Sequence, residues 1–361
     1  MSARKKSTVY KKDFFKKDIC CASEKENQVL IEEEKLPDTY LEDSRPVEDS
    51  ETSLQESEQT SSDDDDLNAE AIKEDRLIAQ LYRRVVDDIM TLYNVKESRV
   101  DSAIKKLRKD IHQGHKKQFK HFAGILFTKP SHCCAYLRRY AICHTGMVKS
   151  GMCMFFSSPQ FFEFYFKMAE LECVNIVSLG GGPGSCLIGL CSALCEKQCS
   201  FSKIDIKIVD SGSVWSDIFP RIIREAKSFQ AGSITKFLET TYLTTGFLQL
   251  DLTRDDIFDH ETLSVTLESA HIILMVKMIS FLSEEHAGDL LEHVSEAMQP
   301  GALLMFVDCP HPEGIFAEIP HLNQIYRKHL SYEMEYRPRR YHTPSIYEAQ
   351  ANFAFYVKVN P

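Results

Sequence analysis

The chain has 361 residues, of which 43% are hydrophobic and 10% aromatic, so it is long enough to bury a sizeable core. No run of eighteen apolar residues occurs, which excludes a predicted membrane span, and residues 1–6 lack the apolar stretch of a secretory signal. Twelve cysteines in such a chain predict free, mostly buried thiols in a reducing compartment. We therefore expect an intracellular protein of the nucleus, nucleolus or cytoplasm with no membrane partner.

The net charge of −10 conceals blocks of opposite sign. Residues 24–75 carry twenty Asp and Glu against four Lys and Arg, whereas residues 76–150 carry sixteen basic residues against five acidic ones. The acidic block is also rich in Ser and Thr, and it buries too little apolar surface to offset its chain entropy. We therefore predict a disordered tail over residues 1–75, able to bind a protein partner, followed by a basic region suited to a polyanion.

Residues 76–170 show helical apolar spacing and no strand signals. A first helix is predicted from Leu77 to Leu92, because apolar residues recur every three or four positions. Further helices are predicted over Val100–His115, Cys133–Met154 and Pro159–Glu170. The outer face of the second one carries Lys105, Lys106, Arg108 and Lys109. The region is predicted to be a basic helical domain that forms a lid or binds the substrate.

From residue 171 to 361 apolar runs alternate with helical stretches. Five strands are predicted at Val174–Leu179, Ile206–Val209, Phe247–Leu252, Ile272–Val276 and Ala302–Val307. The chain then offers two more strands with no helix between them, Ser331–Arg337 and Asn352–Val359. Alternation of strand and helix is typical of a doubly wound, mostly parallel sheet, and the final pair predicts an antiparallel edge. The fold class expected is therefore α/β.

A glycine-rich turn joins the first of these strands to a helix. Its residues are Gly180, Gly181, Gly182, Pro183, Gly184 and Ser185. Such a turn lets a ligand approach bare backbone, and the N-terminus of the helix that follows offers free N–H groups. The pattern departs from the dinucleotide fingerprint, because a glycine is required at the sixth position, where Ser185 stands.

Two acidic residues follow the next two predicted strands. Asp210 ends the second strand, where a carboxylate can accept hydrogen bonds from both hydroxyls of a ribose, and Ser211 comes directly after it. Asp251 lies at the end of the third strand, where an acid can bind the amino group of adenine. Because the carboxyl ends of parallel strands meet at one edge of the sheet, these residues are expected near the glycine-rich turn.

Over residues 170–361 these features resemble the class I S-adenosylmethionine (SAM)-dependent methyltransferases. The resemblance implies a seven-stranded sheet with a reversed last strand, SAM as cofactor, and no metal. The cofactor-binding residues it implies are Gly180, Gly181, Gly182, Gly184, Ser185, Asp210, Ser211 and Asp251. One residue departs from the pattern: many members carry an acid two positions before the first glycine, where this chain has Ser178.

The stretch from Tyr136 to Gly146 resembles a group of eukaryotic methyltransferases that includes fungal ribosomal RNA uridine N3-methyltransferases. This resemblance implies RNA as substrate, and interspersed basic and aromatic residues suit phosphate contact with base stacking. Two alternatives stay open. One is a protein or small-molecule methyltransferase. The other is a non-catalytic SAM-binding module, favoured by Ser178 and by the missing Asn/Asp-Pro-Pro-aromatic motif after the fourth strand.

Candidate catalytic residues follow the fourth and fifth strands. Lys277 and His311 point toward the ligand-binding edge, where either serves as a base, as a substrate contact or as a solvated loop residue. Trp215, the single tryptophan, either covers an adenine ring or anchors its helix. The cysteine and histidine clusters near His132 and Cys191 match no zinc spacing, so we expect core thiols there.

Overall fold

The computed structural model describes residues 62–116, 127–199, 201–279, 282, 284–308, 319–334, 336 and 348–359. All of them belong to one compact unit. It is an α/β fold built on a seven-stranded sheet, which confirms the predicted class. Within these residues, no helix has both the length and the apolar character of a membrane span.

The sheet has the strand order β3-β2-β1-β4-β5-β7-β6. Its strands are β1 Val174–Leu179, β2 Lys203–Asp210, β3 Tyr242–Gln249, β4 Ile272–Val276, β5 Leu303–Asp308, β6 Leu322–Glu333 and β7 Glu348–Lys358. The first five strands pair in parallel, and β7 runs antiparallel to both β5 and β6. The last strand of the chain is therefore the reversed one, as the resemblance implied.

Ten α-helices are present in the described part of the chain. They are α1 Ser62–Leu92, α2 Glu97–Lys116, α3 Pro130–Tyr136, α4 Ile142–Phe156, α5 Pro159–Ala169, α6 Ser185–Glu196, α7 Trp215–Ser228, α8 Ser233–Thr240, α9 Glu261–Glu268 and α10 Glu284–Ala297. A π-helical segment, Leu137–Ala141, joins α3 to α4 without a break, and a 3₁₀ turn covers Asp255–Asp259.

The sheet is buried on both faces, but the two coverings differ in size. In β4 the side chains of Ile272 and Leu274 join one core cluster, and those of Ile273 and Met275 join the other. The first cluster contains residues of α1 through α8, whereas the second contains residues of α9, α10 and the 3₁₀ turn. Parallel strands covered on both faces are continuously apolar, which explains why β1 and β4 match their predicted bounds residue for residue.

Helix α1 begins at Ser62, inside the segment that composition assigned to the disordered tail. Farther along, the Glu74 carboxylate accepts hydrogen bonds from the backbone and side chain of Ser233, and Asp75 accepts one from the Tyr332 hydroxyl at 3.0 Å. These partners are distant in sequence, so composition alone could not reveal them. Residues 1–61 lie outside the described residues, and their disorder stays a prediction.

The bounds predicted for the two edge strands were wrong. β3 covers Tyr242–Gln249 where the sequence predicted Phe247–Leu252, and β6 covers Leu322–Glu333 where it predicted Ser331–Arg337. Edge strands are half solvated, and neither of these shows the continuous apolar run of the central strands. Helices α8 and α9 were not predicted at all. A β-bulge interrupts the pairing of β6 with β7 near Gln324.

The helical region before residue 170 shares a core with the sheet. Helix α4 lies against β6 and β7, because Gly146 meets the ring of Tyr332 and Gly151 meets that of Phe353. A Cβ at either glycine would overlap those rings. Gly189 of α6 meets the α4 backbone closely in the same way, 2.6 Å from a Cβ position to a carbonyl oxygen. The predicted role of this region as a lid stays a prediction.

Candidate functional site

The residues between β1 and α6 form a tight loop, Gly180–Gly184, called here the glycine loop. Gly180, Gly182 and Gly184 have positive φ angles of 63°, 50° and 76°, a conformation that side-chain-bearing residues rarely adopt. The loop is tied to the neighbouring strand, since the Gly180 N–H donates to the Val209 carbonyl at 2.8 Å. The sequence therefore needs glycine at these positions for backbone reasons alone.

Packing adds a second requirement for glycine. A Cβ on Gly180 would lie 2.8 Å from the Met278 side chain, and one on Gly184 would lie 2.5 Å from the Phe219 ring. Gly182 is different, because its nearest side-chain neighbours, Trp215 and Asp210, are 3.7–3.9 Å from the Cβ position. Of these three glycines, Gly182 is thus the one at which a Cβ would make only ordinary van der Waals contacts.

Asp210, the last residue of β2, is bound to the glycine loop. Its Oδ2 accepts the Gly182 N–H at 2.9 Å and its Oδ1 accepts the Gly212 N–H at 2.8 Å. Burial, with a smaller contribution from the charge of Asp251, raises the pKa of Asp210 to about 6 against the lowering effect of these two bonds. Each carboxylate oxygen keeps a second lone pair, so the group can still accept hydrogen bonds from a ligand.

The other cofactor candidates lie around this carboxylate. Asp251 follows β3 by two residues and accepts hydrogen bonds from the backbone and hydroxyl of Thr253, at 3.0 and 2.7 Å. Ser211 is partly buried directly after Asp210. Ser178, at the position where many class I enzymes carry an acid, is buried with its hydroxyl 3.2 Å from the Cys186 sulfur. A neutral pair thus takes the place of that acid.

A row of rings stands beside the glycine loop, formed by Phe127, Tyr136, Tyr140, His144 and Trp215, and is called here the aromatic wall. The Trp215 ring lies 5.0 Å from Phe127 and 5.8 Å from Tyr136, centroid to centroid, and the Tyr136 ring lies 5.7 Å from Tyr140. The wall reaches the first residue of α6, because the Tyr136 hydroxyl bonds the Ser185 side chain. The sequence analysis singled out Trp215 and the stretch that begins at Tyr136, but it gave no signal for Phe127.

His144 is held neutral within this wall. Its Nδ1 lies 3.1 Å from the Tyr136 hydroxyl, and burial together with the positive charge of Lys277 lowers the pKa of His144 to about 3. Lys277, the residue after β4, has a φ of 53° and donates from Nζ to the Gln350 carbonyl at 2.9 Å. His311, the other catalytic candidate, lies outside the described residues.

Contacts join the glycine loop, the aromatic wall and the residues after β4. Trp215 approaches Gly182, Tyr136 links Trp215 to His144, Lys277 acts on His144, and Met278 covers Gly180. The loop, the aromatic wall and the residues after β4 therefore lie together at the carboxyl edge of the sheet. Ligands of doubly wound folds bind at this edge.

Helix α1 supports the site from behind. The buried Tyr82 hydroxyl lies 2.7 Å from the Thr145 hydroxyl, which in turn donates to the Ser185 carbonyl at 3.1 Å. All three residues are buried, so this chain of hydrogen bonds is shielded from water. It fixes the start of α6 relative to α1 and α4.

The cysteines near the site are thiols. The nine described ones are free, and six of them are buried. Within the residues that the structure describes, no group of three or more His, Cys, Asp or Glu side chains is arranged to hold a metal ion. Burial raises the pKa of Cys186 to about 11, so this thiol beneath the glycine loop stays protonated at neutral pH.

The family described as "Putative SAM-dependent methyltransferase" matches residues 55–319. That match spans more than half of the chain, and the chain belongs to this family. It is therefore a SAM-dependent methyltransferase, and its cofactor is SAM. No curated protein matches the sequence.

Solved structures match the chain at low sequence identity and low TM-score. Magnesium protoporphyrin IX methyltransferase from Synechocystis, with bound SAM, is 12% identical over 71% of this chain and 97% of its own, with a TM-score of 0.37. The N-methyltransferase NodS from Bradyrhizobium japonicum, in complex with S-adenosylhomocysteine, is 12% identical over 60% of this chain and all of its own, with a TM-score of 0.31. TehB from Haemophilus influenzae is 13% identical over 55% of this chain, with a TM-score of 0.32, and the chain spans 62% of TehB.

Proposed function

We propose that this enzyme methylates RNA. Ribosomal RNA is the class we favour, because the stretch from Tyr136 to Gly146 resembles ribosomal RNA methyltransferases. The observation that carries the proposal is the outer face of α2. Ile104 and Leu107 are buried against the core, and the basic residues between and after them are exposed. Those exposed residues are Lys105, Lys106, Arg108 and Lys109. A dense row of cations on one helix face suits a phosphate backbone.

This basic face is connected to the site. Arg138, whose side chain is 2% exposed, forms an ion pair with Glu97 of α2 and lies 3.9 Å from Asp101 of the same helix. Arg138 belongs to the π-helical segment, directly between the wall residues Tyr136 and Tyr140. Phosphates bound along α2 would therefore lie one helix away from the aromatic wall.

The glycine loop fits the methionine and ribose portions of SAM. Gly180, Gly181, Gly182, Gly184 and Ser185 supply bare backbone and a helix N-terminus, and Asp210, Ser211 and Asp251 lie beside them as polar partners. The space beside Gly182 and the free lone pairs of Asp210 are the features that a ribose requires. When bound, SAM supplies an electrophilic sulfonium methyl group. The protein's own contribution is to hold the acceptor in line and exclude water.

The wall and Lys277 suit the acceptor. The partly exposed ring of Tyr136, packed against the buried ring of Tyr140, offers a surface on which a nucleobase can stack, as single-stranded RNA requires. The neutral His144 can accept or donate a hydrogen bond, and Lys277 favours negative charge on an acceptor that gives up a proton. We assign Lys277 to substrate contact or proton transfer on this basis. A role for His311 stays a prediction.

Reversing the α2 charges tests the proposal. Changing Lys105, Lys106, Arg108 and Lys109 to Glu is expected to weaken RNA binding and to flatten its salt dependence by roughly one unit of slope per lost phosphate contact. RNA affinity is measured by fluorescence anisotropy across a salt series, and methyl transfer by tritiated SAM on fractionated RNA and protein. SAM affinity should change little, because the four changed side chains lie on the exposed face of α2.

A matched control carries the same change in charge elsewhere on the surface. Its four exposed lysines are Lys167, Lys197, Lys227 and Lys236, each changed to Glu. If both variants bind RNA alike with the wild-type salt slope, the substrate is instead a protein or a small molecule. SAM binding with no label on RNA or protein would indicate a non-catalytic module. The proposal also includes a location of the protein in the nucleus, nucleolus or cytoplasm. It includes a protein partner for the acidic tail as well.

A further inference from the structure

The indole N–H of Trp215 is a buried hydrogen-bond donor without an acceptor in the described part of the chain. Trp215 is 1% exposed, and its Nε1 contacts no oxygen or nitrogen that could accept the proton. Buried polar groups are nearly always paired, because leaving one unpaired costs the full penalty of removing it from water. An orphaned donor at the N-terminus of α7 therefore requires an explanation.

The position of this donor supplies one. A Cβ on Gly182 would lie 3.7 Å from Trp215 Nε1 and 3.9 Å from Asp210 Oδ2. The donor and the carboxylate thus flank one point beside Gly182, each at van der Waals distance from it. A hydroxyl group placed there could accept from the indole N–H and donate to the carboxylate at the same time, since a hydroxyl is both donor and acceptor.

The surrounding rings hold the indole so that it serves as a donor. The Trp215 ring is fixed by contacts with Phe127 and Tyr136, at 5.0 and 5.8 Å between centroids, and Gly212 lies against its edge. Because the ring is buried and packed on several sides, its face does not cover a ligand. The N–H at its edge is the group left to bind one. Between the two roles that the sequence left open, anchoring of α7 is the one these contacts favour, with the N–H left over for a ligand.

We propose that Trp215 Nε1–H donates a hydrogen bond to a ribose hydroxyl oxygen of the bound cofactor, whose proton is donated to Asp210. This makes Trp215 a cofactor-binding residue that completes the ribose site together with Asp210. The inference rests on cofactor binding at the glycine loop and is independent of the methyl acceptor.

The single tryptophan makes the test direct, because the protein has one indole N–H resonance. In the ¹⁵N-labelled full chain, saturating S-adenosylhomocysteine is expected to move that proton downfield, as a new hydrogen bond does. The 2′-deoxy and 3′-deoxy analogues are the matched probes, and the analogue lacking the bonded hydroxyl should leave the proton near its ligand-free position. This measurement needs no mutation, so folding of a variant does not affect it.

Trp215→Phe provides the energetic arm. It keeps an aromatic ring against Phe127 and Tyr136 but removes the donor, and its Kd for S-adenosylhomocysteine should rise about tenfold, which corresponds to about 1.4 kcal/mol. For the deoxy analogue that lacks the bonded hydroxyl, the rise should be twofold or less. An indole proton that does not move on binding, or moves equally with both analogues, overturns the proposal. Equal losses for all three ligands would overturn it too. Gly182→Arg tests the position of the cofactor site itself. Loss of S-adenosylhomocysteine binding in that variant confirms that the site lies at the glycine loop.

Discussion

The glycine loop and the aromatic wall line the same space, yet they are assembled in different ways. The loop comes from consecutive residues between β1 and α6, and its conformation depends on glycine φ angles. The wall comes from residues as far apart as Phe127 and Trp215, brought together by packing of α3, the π-helical segment, α4 and α7. The glycine loop is therefore the local half of the site, fixed by neighbouring residues, and the aromatic wall is the tertiary half, fixed by packing. We expect mutations in the two halves to have different effects.

The largest expected effect lies on the local half. Gly182→Arg places a side chain between Trp215 and Asp210, in the space that the ribose is proposed to fill, and imposes a Cβ at a φ of 50°. We expect SAM binding in the micromolar range, about −8 kcal/mol, in the wild type and none by calorimetry in the variant. Gly301→Arg is the control, since Gly301 has a φ of 81° and nothing within 4 Å of its Cβ position. Unchanged affinity in the Gly182 variant would show that the loop does not hold the cofactor.

A smaller effect is expected where the two halves meet, at Asp210. Its pKa of about 6 lies above the ordinary value of 3.8, so in the ligand-free protein its contribution to stability is present at low pH and is lost as the pH rises from about 4 to 6. Binding should change in the opposite direction, because the ionised carboxylate is the better acceptor. We expect the Kd for S-adenosylhomocysteine to fall about tenfold between pH 5 and pH 7.

Asp210→Asn is the matched variant for this pH dependence. It keeps the shape of the side chain and removes the titration, so its Kd should be weaker at pH 7 and nearly constant from pH 5 to pH 7. Calorimetry over that range measures both proteins. A wild-type Kd that is flat with pH, or a variant that keeps the full slope, would assign the dependence to another group.

The smallest effect tests how far the tertiary half supports the loop. Tyr82→Phe removes the hydroxyl that bonds Thr145, two hydrogen bonds away from Ser185. The free energy of unfolding should fall by about 1 kcal/mol, and SAM affinity by a few-fold, because the start of α6 is held less firmly. Tyr93→Phe is the control, since that hydroxyl bonds Asp217 at the surface. Urea denaturation and calorimetry compare them, and equal SAM affinity in both variants would limit Tyr82 to a structural role.

The sequence predicted the parts of the fold that depend on local pattern. β1 and β4 were predicted at their observed bounds because central parallel strands are apolar on both faces. The glycine loop and Asp210 were recognised because strand, turn and acid occur at fixed spacing. The edge strands β3 and β6 were misplaced, since half-solvated strands carry a weaker pattern.

The wall and the anchoring of α1 depend on contacts that local pattern does not encode. The four-residue spacing of Tyr136, Tyr140 and His144 was the one available signal, since it predicts a shared helix face. Nothing in the acidic stretch distinguishes Glu74 from its neighbours, although its contact with Ser233 spans 159 positions. Composition therefore assigned this end of α1 to the tail.

The π-helical segment makes this part of the chain tolerant of a change in length. A π turn closes i→i+5 hydrogen bonds and so holds one residue more than an α-helical turn. Deleting one residue from Leu137–Ala141 would therefore restore an α-helical turn and leave the orientation of α4 nearly unchanged, so that Gly146 and Gly151 still face Tyr332 and Phe353. The same deletion at the start of α4 would instead rotate these two glycines by about 100° relative to α3. A single-residue deletion is thus expected to disturb the sheet less in the π-helical segment than one turn farther along the chain.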